Sequence, residues 1–134
     1  MNDSLLSTMK RMRRFIPISM LLLFGINLYA QLLNDQVAHA LRFSEQQVWK
    51  TITYFGDSLQ YPRSTLPDGT WKTVKIRDWT SGFFPGSLWY IFEKTQNPQV
   101  KNAAVRWTEG LESLQYYTGS HDVGFMVFCS YGNA

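Results

Sequence analysis

The feature that most constrains this chain is the helical spacing of its apolar residues. Leu33, Val37, Ala40, Leu41, Val48, Ile52 and Phe55 stand at offsets 0, 4, 7, 8, 15, 19 and 22, one face of a helix. Asn34 or Asp35 can cap its start and Gly56 can end it. Phe84, Leu88, Ile91 and Phe92, at offsets 0, 4, 7 and 8, give a second face. Pro85 fits only in its first turn, where a missing N–H costs no helical bond. Asn97-Pro98 opens a third helix with a cap followed by proline. Its apolar face is Val100, Ala103, Ala104, Trp107, Leu111 and Leu114, with Gly110 as an interruption and Gly119 as the stop. A fourth helix is expected to start at His121-Asp122 and to run off the end of the chain, carrying the apolar run of residues 123–128, which calls for burial.

Between the first two helices, residues 57–78 read as irregular. Pro62 and Pro67-Asp68-Gly69 are turn signals, and Trp71-Lys72-Thr73-Val74 is a short extended piece. A loop of about 20 residues is unusual inside a compact domain and is often functional. The order is then helix, long loop, helix, short turn, helix, short turn, helix. That order indicates an all-α fold of helical hairpins packed side by side. Alternating helix direction puts the starts of helices two and four at one end. Asp78, Trp79, His121 and Asp122 would then line one rim.

These rim residues each have two readings. Asp122 is either a helix N-cap, for which Asp is a preferred residue, or a chemical carboxylate beside His121. Trp79 is either core or an apolar platform for the C–H face of a sugar, since it stands before its helix begins. His39 lies off the apolar stripe and reads as a surface imidazole. No second His or Cys stands at metal-site spacing, and no cofactor is expected.

Residues 1–30 are of another character. Lys10, Arg11, Arg13 and Arg14 precede an apolar stretch from Phe15 to Tyr29, and Ala30 follows. This is the pattern of a secretory signal peptide cleaved before Gln31, with Met1 or Met9 as the start. The apolar part is short for a membrane span, which needs about 20 residues, so no stable membrane anchor is expected after cleavage. The mature chain would be secreted or periplasmic. The formal charge of +3 belongs wholly to this segment, because residues 31–134 hold nine Lys/Arg and nine Asp/Glu. No basic patch therefore points to nucleic acid, whose binding rests on phosphate neutralisation. The single cysteine, Cys129, excludes an internal disulfide. The chain stops soon after its last apolar run, which reads as a fragment.

Two motifs carry a family resemblance. Asp78-Trp79-Thr80-Ser81-Gly82-Phe83-Phe84-Pro85-Gly86-Ser87-Leu88-Trp89 and Gly119-Ser120-His121-Asp122-Val123-Gly124-Phe125 resemble the N-terminal part of unsaturated glucuronyl hydrolases, glycoside hydrolase family 88. Tyr61-Pro62-Arg63 and Ser130-Tyr131-Gly132 fit the same pattern. The resemblance implies that residues 31–134 are the first part of an (α/α)6 barrel, about four of its helices. It implies hydrolysis of unsaturated uronic-acid oligosaccharides, the products of polysaccharide lyases, by hydration of a C4=C5 double bond. It assigns an essential carboxylate to Asp122, substrate contact to His121 and sugar stacking to Trp79. It also implies a second carboxylate, the general acid/base, beyond residue 134, without which the fragment is inactive alone. The related unsaturated rhamnogalacturonyl hydrolases and a non-catalytic carbohydrate-binding protein remain as alternatives.

Overall fold

The computed structural model describes residues 3–134, with side chains from Met20 onward. The basic run from Lys10 to Arg14 therefore has its side chains outside the described residues, and Met1 lies outside them altogether. The chain divides into two units, Met1–Ala40 and Leu41–Ala134.

Helix α1 spans Asp3–Phe55. The expected start at Asn34 or Asp35 is thus absent. Nothing in the local sequence stops a helix there, since neither Pro nor Gly lies between Gly25 and Gly56. In the first unit, the described side chains from Met20 to Val37 are exposed. Among the described residues no helix is long and apolar enough to cross a membrane. In the second unit the expected stripe is real: Leu41, Val48, Ile52 and Phe55 pack on the core. Leu33 and Val37, from the same stripe, are exposed. Gly56, at φ 54°, ends the helix, and its N–H donates to the Ile52 carbonyl.

Residues 57–78 are more regular than the sequence suggested. Strand β1 (Tyr61–Thr65) pairs antiparallel with β2 (Trp71–Val74). The Pro67-Asp68-Gly69 signal is its hairpin turn. Gly69 takes φ 84°, and the Asp68 carboxylate accepts from the Thr70 N–H and hydroxyl at 3.0 and 2.7 Å. The register slips between Pro62 and Ser64, so Arg63 is a bulge residue without a partner in the ladder.

Helices α2 (Phe83–Thr95) and α3 (Pro98–Glu109) form a hairpin that carries most of the core. Asn97 caps α3 as expected, accepting from the Gln99 N–H at 3.0 Å. Trp107 is wholly buried at the centre of the core. Its indole N–H donates to the Gln60 carbonyl at 2.8 Å, and its own carbonyl accepts from the buried Tyr61 hydroxyl at 3.1 Å. These two bonds fasten the base of the β-hairpin to α3.

Helix α3 ends at Gly110, nine residues before the expected stop at Gly119. A Cβ on Gly110 would collide with the Tyr61 hydroxyl and approach Leu59 Cδ1 to 3.3 Å. Gly110 is thus a close-approach glycine that lets α3 meet the hairpin. The chain continues as a 3-10 turn, Glu112–Tyr116, which keeps Leu111 and Leu114 buried. Helix α4 is short, Val123–Phe128, and buries only Met126 fully. The burial expected for this run is therefore not reached, because Phe125 and Phe128 are exposed.

Candidate active site

The loop before α2 and the loop before α4 meet, as the alternation of helices required. Two glycines bring them together. A Cβ on Gly82 would collide with the backbone carbonyls of Phe125 and Met126, and one on Gly86 with the carbonyl of Cys129. The first turns of α2 therefore lie directly on the backbone of α4, a separation only glycine permits. This is the physical reason for the Gly82-Phe83-Phe84-Pro85-Gly86 spacing.

Above that contact sits an aromatic trio. Trp79 meets Phe83 edge-to-face at 5.4 Å between centroids, and Phe125 at 6.2 Å. Phe83 and Phe125 close the triangle at 6.4 Å. Trp79 still exposes 42 % of its surface. It is a supported but accessible indole, not core, and such a surface suits the apolar face of a sugar ring.

Asp78 does not present a free carboxylate. One oxygen accepts from the Thr80 N–H at 3.0 Å and the Thr80 hydroxyl at 2.6 Å, and the other pairs with Arg63 at 3.1 Å. Burial pushes its carboxyl up, but the Thr80 bonds and the Arg63 guanidinium together outweigh it and hold the group below the ordinary aspartate range. Asp78 is thus the knot that shapes the Trp79 loop. The Ser81 hydroxyl, donating to the Ile76 carbonyl at 2.8 Å, ties the same loop from the other side.

Asp122 differs. It occupies the N-cap position of α4, yet its side chain makes no cap hydrogen bond. Its backbone carbonyl takes the N–H groups of Phe125 and Met126, and its own N–H donates to the Ser120 hydroxyl at 3.1 Å. One carboxylate oxygen lies 3.3 Å from His121 Nε2, and 26 % of its side chain is exposed. His121 itself is almost fully exposed. The capping reading of Asp122 accounts for the position of the residue but not for its carboxylate, which lies beside His121.

The strand of chain before Asp122 is braced. Arg77 places its guanidinium 4.9 Å from the centroid of Tyr117. Gly119 lies against that ring, and a Cβ there would come within 2.7 Å of Tyr117 Cε2. So the first motif loop holds the second through Arg77 and Tyr117. Neither was singled out in the sequence, where an arginine and a tyrosine forty residues apart give no joint signal. Arg63 was quoted only as part of a motif, because a bulge cannot be read from five residues of strand.

No family model matches the chain. Three curated proteins are similar to it. An unsaturated glucuronyl hydrolase of Formosa agariphila is 39 % identical over 89 residues, 66 % of this chain and 22 % of its own length. An unsaturated chondroitin disaccharide hydrolase of Streptococcus agalactiae is 32 % identical over 52 % of this chain and 17 % of its own. An unsaturated glucuronyl hydrolase of a Bacillus species is 34 % identical over 60 % of this chain and 22 % of its own. Among solved structures, an unsaturated glucuronyl hydrolase specific for heparin matches with a TM-score of 0.59 and 41 % identity, over 70 % of this chain and 26 % of that one. The chain thus spans about a fifth of the length of the curated relatives it matches. The mostly helical architecture with four α-helices, as the first part of an (α/α)6 barrel, agrees with this match.

Proposed function

We propose that this chain, unsaturated glucuronyl hydrolase-like in sequence and in fold, serves an enzyme that hydrolyses unsaturated uronyl oligosaccharides. The observation that carries the reading is a carboxylate, Asp122, that its own helix does not use, at the start of the helix whose Phe125 packs against the accessible indole of Trp79.

The substrate is a vinyl ether conjugated with a carboxylate. A proton goes to C4, positive charge develops at C5 and the ring oxygen, and water adds its oxygen at C5. The hemiketal opens to a C5 ketone, and C1, now a hemiacetal, releases the remaining sugar. Trp79 would support the ring, with Phe83 and Phe125 fixing the indole plane. Asp122 would face the reacting end, as one of two carboxyl groups. An ionised carboxylate there stabilises developing positive charge and orients water. His121, with a free imidazole edge, would contact a sugar hydroxyl or carboxylate.

Residues 1–30 serve in this reading as a signal peptide that takes the enzyme to the periplasm or outside the cell, where polysaccharide fragments arise. The test is spectroscopic. The protein carrying this chain should bleach the ultraviolet absorbance of an unsaturated uronyl disaccharide and leave the saturated disaccharide intact. Cleavage of the saturated sugar at a similar rate would point to a conventional two-carboxylate glycosidase instead.

A further inference from the structure

We propose that Arg63 is the anion-reading residue of this site, pairing with an oxyanion, a carboxylate or a sulfate, on a sugar that lies against Trp79. The inference rests on the sugar-binding reading of Trp79 given above and names the group that gives it specificity.

Three observations converge on Arg63. It is the bulged residue of β1, where the register slips between Pro62 and Ser64. A bulge re-aims one side chain out of the alternation of its strand. Re-aimed, its guanidinium bonds Asp78 at 3.1 Å, and its central carbon lies 5.8 Å from the Trp79 ring centroid. That distance is near the outer limit of about 6 Å for a cation–π contact, so the guanidinium lies over the indole at long range without stacking closely on it. Lastly, only one nitrogen of the guanidinium is engaged by Asp78, and the side chain is more than one-third exposed. Arginine carries five N–H donors in a planar fork that matches carboxylate and sulfate geometry. The remaining donors stand at the edge of the sugar platform.

The charge pattern favours the same conclusion. Residues 31–134 carry no net charge, so an acidic sugar is not drawn to this surface by the domain as a whole. Asp122 would repel it. A cation beside the platform offsets that repulsion at the point of contact.

Asp78 makes the proposal testable. Asp78→Asn keeps a carbonyl oxygen for the Thr80 bonds but removes the charge that holds Arg63. If Arg63 reads a substrate oxyanion, Arg63→Gln raises KM about ten- to hundred-fold, the range for losing a hydrogen bond to a charged group, with kcat within about threefold. Asp78→Asn acts in the opposite direction and lowers KM, because Arg63 has no competing partner. Arg63→Lys restores part of the loss, as a point charge without the fork. If the ion pair merely braces the hairpin, both Arg63→Gln and Asp78→Asn raise KM and lower the melting temperature together, and the proposal is overturned. It is also overturned if Arg63→Gln leaves KM within twofold.

The measurements use the protein carrying this chain, with a sulfated and an unsulfated unsaturated disaccharide. Equal loss on both assigns Arg63 to the uronate carboxylate, and loss on the sulfated sugar alone assigns it to sulfate. Calorimetric titration of the same sugars separates this inference from the proposed chemistry. Arg63-dependent binding without turnover would remove the hydrolase reading and leave the anion site standing.

Discussion

Replacing Gly82 with alanine should reduce activity more than it reduces stability. The new Cβ would collide with the Met126 carbonyl oxygen and lie 2.7 Å from that of Phe125, where ordinary contact begins at 3.4 Å. Both obstacles are backbone atoms, so no side chain can swing aside. The start of α4 must retreat by at least the difference, about 0.7 Å, and Asp122 moves with it, since the Phe125 and Met126 N–H groups bond its carbonyl. Overpacking of this kind costs about 1–3 kcal/mol of stability. A displacement approaching 1 Å in a positioned group can cost about 100-fold in rate, so a fall of tenfold or more in kcat is expected for the Gly82→Ala enzyme. The assay is steady-state absorbance at matched fractions of folded protein, with melting curves alongside. A variant with wild-type kcat and an unchanged melting temperature would show that α2 does not position the carboxylate through this contact.

Gly124→Ala should behave differently, raising stability by up to about 1 kcal/mol in a melting experiment. Its Cβ would meet only Phe128 Cδ2, at 3.9 Å, inside a helix, and a lowered melting temperature would contradict the packing described. Tyr61 has its hydroxyl pushed up to about 12, first by burial and then by the neighbouring Tyr131 phenol. The folded form therefore holds this proton more tightly than the unfolded chain, and stability falls as pH rises from about 10 towards 12. Tyr61→Phe, which loses the bond to the Trp107 carbonyl, should be less stable near neutrality, and its deficit should shrink across that window in alkaline unfolding curves. N-terminal sequencing of exported protein should find Gln31 first, and a mature chain beginning at Met1 or Met9 would refute the signal reading.

Much of the fold was legible because helices announce themselves through spacing. The stripes on α2 and α3, the part of the α1 stripe from Leu41 onward, the Asn97-Pro98 start and the Pro85 first turn appear where the residues put them. The parts that escaped depend on contacts distant in sequence. Gly110 reads as an interruption of the third helix, and only the Tyr61 hydroxyl and Leu59 show what it lets approach. The hairpin of residues 61–74 was hidden by its brevity and by Pro62 inside a strand, tolerated here beside a bulge. At the site, the meeting of the segments that open α2 and α4 followed from helix direction alone. The differing roles of its two aspartates did not, because they are decided by partners. Asp78 has Thr80 and Arg63, whereas the Asp122 carboxylate lies beside His121.

In the proposed reaction Asp122 serves chemistry and not the helix it begins. Asn has nearly the same shape and can still cap a helix, so Asp122→Asn removes the charge and the capacity to exchange a proton while sparing the fold. The decisive measurement is the rate at which the protein carrying this chain bleaches the conjugated double bond of an unsaturated uronyl disaccharide, wild type against Asp122→Asn, at equal melting temperature. A loss of about 100-fold or more is expected, the usual effect of removing a positioned acid/base or electrostatic group. Turnover by the variant near the wild-type rate would contradict it and return Asp122 to the role of a cap.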